Sequence, residues 1–172
     1  MGKLKRILVA GLLLTLGLFS LTACGRTHQR GPLDVKKVTY LVGYGGINRD
    51  YMYVFTSDLK AVKYVISPDR DDNCDYLAGE LPSEENYEVT EFEITDLEWS
   101  SIVNVLTRVN FMELEENMST KELIDDGSSY TICVETSDGT HVSGGYMAGY
   151  DKDSDSRRFA KAKEMIENAI PK

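Results

Sequence analysis

The chain has 172 residues, of which 28 are acidic and 19 are basic, giving a formal net charge of −9. An acidic balance of this size argues against binding to nucleic acid and against peripheral binding to anionic lipid, because both need basic patches. The length is that of a single domain once a leader segment is set aside.

The N-terminal segment has the organisation of an export signal. Lys3, Lys5 and Arg6 form a positively charged start, and an apolar run follows from Ile7 to Phe19. A run of this length matches the core of a signal peptide and is shorter than the roughly 20 residues of a membrane-spanning helix. It leads into Leu21-Thr22-Ala23-Cys24, which resembles the lipobox of bacterial lipoproteins.

The lipobox resemblance implies how the protein is processed and where it resides. A diacylglycerol would be added to the thiol of Cys24, and a type II signal peptidase would cut between Ala23 and Cys24. Residues 1–23 would be the signal peptide and residues 24–37 a flexible tether, with the protein lipid-anchored on the extracytoplasmic face of the cell membrane. Because residues 1–23 hold three basic and no acidic side chains, the mature net charge would be −12. An uncleaved membrane anchor and an ordinary signal with a chance cysteine are the alternatives.

Segments rich in β-forming residues mark the first half of a sheet. Val38–Val42 predicts a first strand. Tyr51–Phe55 and Ala61–Ile66 predict a hairpin, because a short polar turn separates them. Glu88–Ile94 alternates between polar and apolar residues and predicts a further strand.

The periodicity then changes to that of a helix. Thr95 and Glu98 have the spacing of a capping box, in which each side chain binds a free backbone N–H at the helix start. An apolar stripe follows them: Trp99, Ile102, Val103, Leu106 and Val109. This stripe predicts an amphipathic helix. A short helical turn is expected from Ser119 through Ile124, ending at Gly127.

The last third of the chain predicts a hairpin and a final helix. Tyr130–Thr136 alternates like a half-buried strand, and Asp138-Gly139 is a strong turn signal. Thr140–Met147 is the expected returning strand, with a bulge at Gly144-Gly145. The helix is expected to be capped by one of Ser154, Asp155 and Ser156. Its apolar stripe consists of Phe159, Ala162, Ile166 and Ala169.

Together these elements predict one α+β domain over residues 38–172. The expected architecture is an antiparallel sheet of about five to six strands, with one long helix and one C-terminal helix packed on one face. This order of elements resembles that of small uncharacterised secreted bacterial domains, and the likeness carries no function with it.

An acidic loop after the predicted hairpin is a candidate cation site. Its oxygen-bearing residues fall at positions 1, 3, 5, 7 and 12 of an EF-hand-like loop: Asp69, Asp71, Asn73, Asp75 and Glu80. Cys74 stands where that loop needs glycine, and Pro68 and Pro82 stand where it has helices. We therefore predict a solvated acidic loop without a tight calcium site. A similar set precedes the final helix: Asp151, Asp153 and Asp155, which favour a helix N-terminus without any ion.

The cysteines and the histidine of the domain allow little chemistry. Cys74 and Cys133 remain after lipidation, as a possible disulfide or as two unpaired buried thiols. His141 follows the hairpin turn, where it is expected to be exposed, and only proximity across that hairpin would pair it with Cys133 as base and nucleophile. Zinc sites need three or four ligands of the His or Cys type, and these three are the only His and Cys side chains in the domain.

Tyrosine is the remaining candidate for function, with ten residues in the chain. Tyr44, Tyr146 and Tyr150 lie beside glycines, a pattern typical of contact surfaces, although strands also favour tyrosine for packing. The sequence therefore favours a lipid-anchored cell-envelope protein with a non-enzymatic binding or scaffolding role. Its partners would be the membrane, through Cys24, and an unidentified protein or small-molecule ligand, with no cofactor and no nucleic acid. An envelope hydrolase with an unrecognised site and a calcium-stabilised extracellular module are the alternatives.

Overall fold

A computed structural model describes residues 31–43, 49–67, 75–77, 80, 84–122 and 124–171. The elements in chain order are β1 (Val35–Gly43), β2 (Asp50–Thr56), β3 (Lys60–Ile66), β4 (Tyr87–Glu93), α1 (Asp96–Arg108), β5 (Ser129–Thr136), β6 (Gly139–Tyr146) and α2 (Ser154–Asn168). Within these described ranges, no helix is both long and apolar enough to span a bilayer. The predicted export signal and Cys24 lie outside the described residues, so lipidation stays a prediction.

The six strands form one antiparallel sheet in the order β4-β3-β2-β1-β5-β6. The predicted α+β class, with a six-stranded antiparallel sheet, one long helix and one C-terminal helix, is confirmed. β1 pairs with β2 on one side and with β5 on the other. The first strand of the domain therefore lies inside the sheet, between the two hairpins.

Both helices pack against one face of the sheet, which we call the helix face. Strand side chains alternate between the two faces, and six of those on the helix face are at most 1% exposed: Val38, Tyr40, Phe55, Ala61, Ile132 and Val134. The helices contribute five residues that are 0% exposed: Ile102, Leu106, Phe159, Ala162 and Ile166. All eleven belong to one hydrophobic cluster. Of the predicted α1 stripe, Trp99 and Val103 are only partly buried and pack against this cluster.

The first strand begins three residues earlier than the predicted start at Val38. Val35 belongs to β1 and is 4% exposed. The backbone N–H of Leu33 donates to Oγ1 of Thr107 at 3.1 Å, which ties the chain ahead of β1 to α1. A shift in the β1–β5 register between Val35 and Lys37 breaks the alternation at this point, so the sequence pattern concealed the start of the strand.

The segment after α1 covers the outer edge of β6. A helical turn starting at Ser119 was expected in this segment. The N–H of Met118 donates to the carbonyl of Gly144 at 2.8 Å, and the N–H of Gly144 donates to the carbonyl of Glu116 at 3.0 Å. The N–H of Thr120 donates to the carbonyl of Tyr146 at 2.9 Å. The helical prediction is therefore wrong, because residues 116–120 take their backbone bonds from the sheet edge.

The predicted bulge at Gly144-Gly145 is also wrong, because the β5–β6 register runs through both glycines unbroken. The two glycines are needed instead because other segments of the protein pass very close to their backbone. A Cβ on Gly144 would lie 2.4 Å from the carbonyl oxygen of Tyr130, and one on Gly145 would lie 2.3 Å from Oγ of Ser119. The hairpin turn is one residue earlier than predicted, since Thr136 pairs with Gly139.

Side-chain caps begin both helices. The predicted capping box of α1 is present: the Glu98 N–H donates to Thr95 Oγ1 at 3.2 Å, and the Thr95 N–H donates to Glu98 Oε2 at 2.7 Å. The cap of α2 is Asp153, one residue before the predicted candidates, and its carboxylate accepts the N–H of Ser156 at 2.9 Å. Both caps satisfy backbone donors that the helix itself leaves unpaired.

Candidate functional site

A row of two tyrosines and one lysine crosses three strands on the helix face. Tyr53 of β2 stands opposite Tyr40 of β1 and Lys63 of β3, so the three side chains are neighbours. The rings of Tyr40 and Tyr53 stack, with centroids 6.2 Å apart and 24° between their planes. Nζ of Lys63 lies 5.2 Å from the ring centroid of Tyr51 and 5.9 Å from that of Tyr53. The lysine ammonium is therefore held by two aromatic rings.

The row continues onto α2 through a buried hydroxyl. Oη of Tyr40 donates to Oε1 of Glu167 at 2.6 Å. Nζ of Lys163 lies 3.7 Å from the same carboxylate oxygen and 3.8 Å from the ring centroid of Tyr130. We call the seven connected residues the tyrosine–lysine cluster: Tyr40, Tyr51, Tyr53, Lys63, Tyr130, Lys163 and Glu167. It joins four strands and one helix through side chains distant in sequence.

The cluster has a buried base and an accessible surface. Tyr40 and Tyr53 are 1% and 9% exposed and support the other rings from within the core. Tyr51, Lys63, Tyr130 and Lys163 are half-buried and reach solvent. In the part of the chain that the structure describes, Lys63 contacts rings but no carboxylate at ion-pair distance.

The accessible groups of the cluster are suited to binding. Tyrosine rings offer flat apolar contact area with a polar end, and they lose little conformational entropy when a ligand binds. Two ammonium groups lie on this surface, and that of Lys63 has its charge unpaired by any described carboxylate. A ligand carboxylate placed beside Lys63 would therefore gain an ion pair without displacing one.

The acidic loop that was a candidate cation site is only partly described. Asp69, Asp71 and Asn73 lie outside the described residues. Asp75 and Glu80 are exposed, and each carboxylate accepts a backbone N–H of the loop itself: Glu80 Oε2 from Asp75 at 3.0 Å, and Asp75 Oδ1 from Leu77 at 3.1 Å. Among the described residues, no group of three His, Cys, Asp or Glu side chains is arranged to hold a metal ion.

Cys133 lies on the face of the sheet opposite the helices. It is 2% exposed and carries a free thiol, while Cys74, its possible disulfide partner, lies outside the described residues. Burial raises the pKa of the Cys133 thiol, and the charges of Glu135 and Asp75 raise it further, against an opposite effect of Lys37. A thiol of raised pKa is a poor nucleophile at neutral pH.

His141 lies on the helix face, so it does not meet Cys133. It stands opposite Val134, whereas Cys133 stands opposite Val142, and consecutive strand residues point to opposite faces. Nε2 of His141 lies 3.0 Å from the carbonyl oxygen of Leu114, and its ring packs edge-on against Phe111. The expected exposure of this histidine is therefore wrong: it is half-buried and takes part in packing.

A groove of about 520 Å³ between α1 and α2 contains an arginine with a structural role. Nε of Arg158 donates to the carbonyl of Val109 at 2.6 Å, and Nη2 donates to the carbonyl of Asn110 at 2.8 Å. Nη1 donates to the carboxylate of Asp155 at 2.8 Å. Arg158 therefore satisfies carbonyl groups at the C-terminal end of α1.

The three aspartates before α2 are also engaged by the protein. They line a second hollow of about 520 Å³. Asp151 accepts the hydroxyl of Thr120 at 2.7 Å, Asp153 caps the helix, and Asp155 binds Arg158. The bonds of Asp153 to Ser156 hold the pKa of its carboxyl below the ordinary value. The three aspartates therefore stabilise the start of α2 and the loop beside it.

The tyrosines that the sequence analysis selected for their glycine neighbours are not the ones that form the tyrosine–lysine cluster. Oη of Tyr146 donates to the carbonyl of Ile124 and accepts the N–H of Gly127, which is a structural tie between loop and strand. Tyr150 is 52% exposed, and Tyr44 lies outside the described residues. The sequence feature that could have indicated the cluster is the pair Tyr51 and Tyr53, which are two residues apart and therefore lie on one face of a strand.

No protein-family model matches the chain, and no curated protein matches it significantly. Its function is therefore inferred from its residues and their geometry.

Proposed function

We propose that the protein is a lipid-anchored binding protein of a bacterial cell envelope, without enzymatic activity, whose ligand contacts the tyrosine–lysine cluster. The lipobox ending at Cys24 supports the location. The observation that carries the binding role is Lys63, whose ammonium lies against the rings of Tyr51 and Tyr53 with no described carboxylate beside it.

The chemistry of the cluster favours a ligand with a carboxylate beside a flat apolar face. Lys63 and Lys163 supply the positive charge, and Tyr51 and Tyr130 supply the rings. The rest of the chain is acidic, which disfavours an anion held by charge alone. Contact with the rings must therefore contribute to affinity, and a cell-wall glycan bearing short peptides with free carboxylates meets both requirements.

The binding role is tested by co-sedimentation of the purified protein with insoluble cell-wall glycan. Tyr51→Ala and Lys63→Gln should each weaken binding by about tenfold, as truncation of an anchoring contact does. Tyr150→Ala removes an exposed tyrosine outside the cluster and should bind like the wild type. Equal sedimentation of all four proteins, or of none of them, would refute the assignment of this surface to wall glycan.

Anchoring is tested separately by metabolic labelling with palmitate. The wild-type protein should carry the label and remain in the membrane fraction, because acyl chains on Cys24 hold it there. Cys24→Ser removes the thiol and should yield an unlabelled protein that is misprocessed or released. A variant that stays in the membrane at its normal mature mass would show that lipid is not the anchor.

A further inference from the structure

One outer edge of the sheet is covered by described chain, and the other is exposed. Residues 116–120 bond along β6. β4 pairs with β3 over all seven of its residues, without a register shift and without proline. Five of the seven are exposed: Glu88, Val89, Thr90, Glu91 and Glu93. An exposed, regular edge strand offers its backbone groups to another strand.

Two hydrogen bonds at the ends of β4 show which backbone groups point outward. The N–H of Ile94 donates to the carbonyl of Leu59 at 3.0 Å, and the N–H of Ser67 donates to the carbonyl of Asn86 at 2.8 Å. Both pairs continue the β3–β4 register, in which hydrogen-bonded and non-hydrogen-bonded pairs alternate. Even-numbered residues from 86 to 94 therefore bond toward β3. The outward N–H and C=O groups belong to the odd-numbered residues: Tyr87, Val89, Glu91 and Glu93.

We infer that β4 accepts an added antiparallel strand from an extended basic segment of a partner protein. Main-chain bonds to the four outward residues provide affinity in this mode, and alternate side chains provide specificity. β4 lacks the lysine that commonly protects an edge, and it carries three glutamates instead. Opposite charges across a strand pair stabilise it and like charges destabilise it, so the incoming strand must be basic.

The side chains of β4 specify a pattern for the incoming strand. Lysines belong opposite Glu93 and Glu91, and apolar residues belong opposite Val89 and Tyr87. Glu88 already pairs with Arg49 at 2.8 Å and needs no further cation. The peptide Lys-Val-Lys-Thr-Val-Thr-Tyr meets these conditions in antiparallel orientation. A second copy of this chain fits less well, because two β4 strands would place six glutamates in one ladder.

The test is a titration of the full-length chain, in detergent, with this peptide carrying a fluorophore. Fluorescence anisotropy should show saturable binding. N-methylation of the third and fifth peptide residues removes donors that face β4 and should abolish binding. N-methylation of the second and fourth residues alters donors that face away and should preserve it. This matched pair of peptides tests the main-chain ladder without changing the protein.

Two protein variants test the same edge from the other side. Val89→Pro removes an outward N–H while sparing every bond to β3, and it should weaken binding by about tenfold or more. Val89→Thr keeps that donor and should bind like the wild type. Circular dichroism checks that the proline variant is folded; if it is not, the methylated peptides decide the question alone.

Three results would overturn the inference. One is the absence of saturable binding, and another is equal binding of the two methylated peptides. The third is a wild-type dimer in sedimentation equilibrium that Val89→Pro dissociates, because a second copy would then occupy the edge.

Discussion

Truncation of Leu106 tests the orientation of α1 against the sheet. Leu106 is 0% exposed and belongs to the core, whereas Leu97 of the same helix is 76% exposed. Removing a buried leucine side chain costs about 2–5 kcal/mol, since the transfer energy is lost and a cavity remains. For a domain of this size, each kcal/mol lowers the midpoint of thermal unfolding by about 3–5 °C. Leu106→Ala should therefore lower that midpoint by about 6–25 °C.

Urea unfolding followed through the fluorescence of Trp99, the single tryptophan, measures the free energy directly. The dependence of that free energy on urea should be unchanged in Leu106→Ala, because the surface exposed on unfolding is nearly the same. Leu97→Ala is the matched control and should cost less than about 0.5 kcal/mol. Similar losses for the two variants, or a loss below about 0.5 kcal/mol for Leu106→Ala, would mean that α1 does not face the sheet as described.

Three further predictions concern pH, thiol chemistry and the covered edge. The pKa of the Glu98 carboxyl is lowered from 4.5, first by the backbone N–H of Thr95 and then by its hydroxyl. The ionised Glu98 carboxylate therefore stabilises the fold fully above the pKa that it has in the unfolded chain, and this stabilisation is lost as pH falls through the lower pKa of the folded protein. Below about pH 4.5, the urea midpoint of the wild type should fall more steeply than that of Glu98→Gln. Cys133 should resist alkylation at neutral pH until urea unfolds the domain, and labelling at the rate of a free thiol would contradict its burial. Gly145→Ala should lower the unfolding free energy by more than about 1 kcal/mol, because a Cβ would meet Ser119; an unchanged stability would show that residues 116–120 do not hold the edge.

Most elements of the fold could be predicted because each depends on its own stretch of sequence. The alternation in β2 and β3 and the capping box of α1 are local patterns, and the structure places these elements within one or two residues of the predicted bounds. The errors occurred where contacts with a segment distant in sequence determine the local conformation. Residues 116–120 carry turn-forming side chains, yet they bond to β6 because Gly144 and Gly145 let them approach.

The tyrosine–lysine cluster could not be predicted for the same reason. Its contacts depend on the cross-strand register, which places Tyr53 beside Tyr40 and Lys63. One contact needs α2 to lie over β1, so that Tyr40 reaches Glu167, 127 residues further along the chain. A neighbouring glycine is a local sequence feature, and it led to the choice of Tyr146. The hydroxyl of Tyr146 is bonded to the backbone of Ile124 and Gly127.

The position of β1 determines how the domain would resist a mechanical pull. A force applied through the chain ahead of Val35 acts on a strand that is bonded along both sides, to β2 and to β5. Extraction of this strand along its own axis would load both ladders in shear, so that many hydrogen bonds must fail together. An outer strand in the same place would have only one ladder to resist the force. A domain held at its N-terminal end while its ligand moves is therefore loaded through a strand that is bonded along both sides.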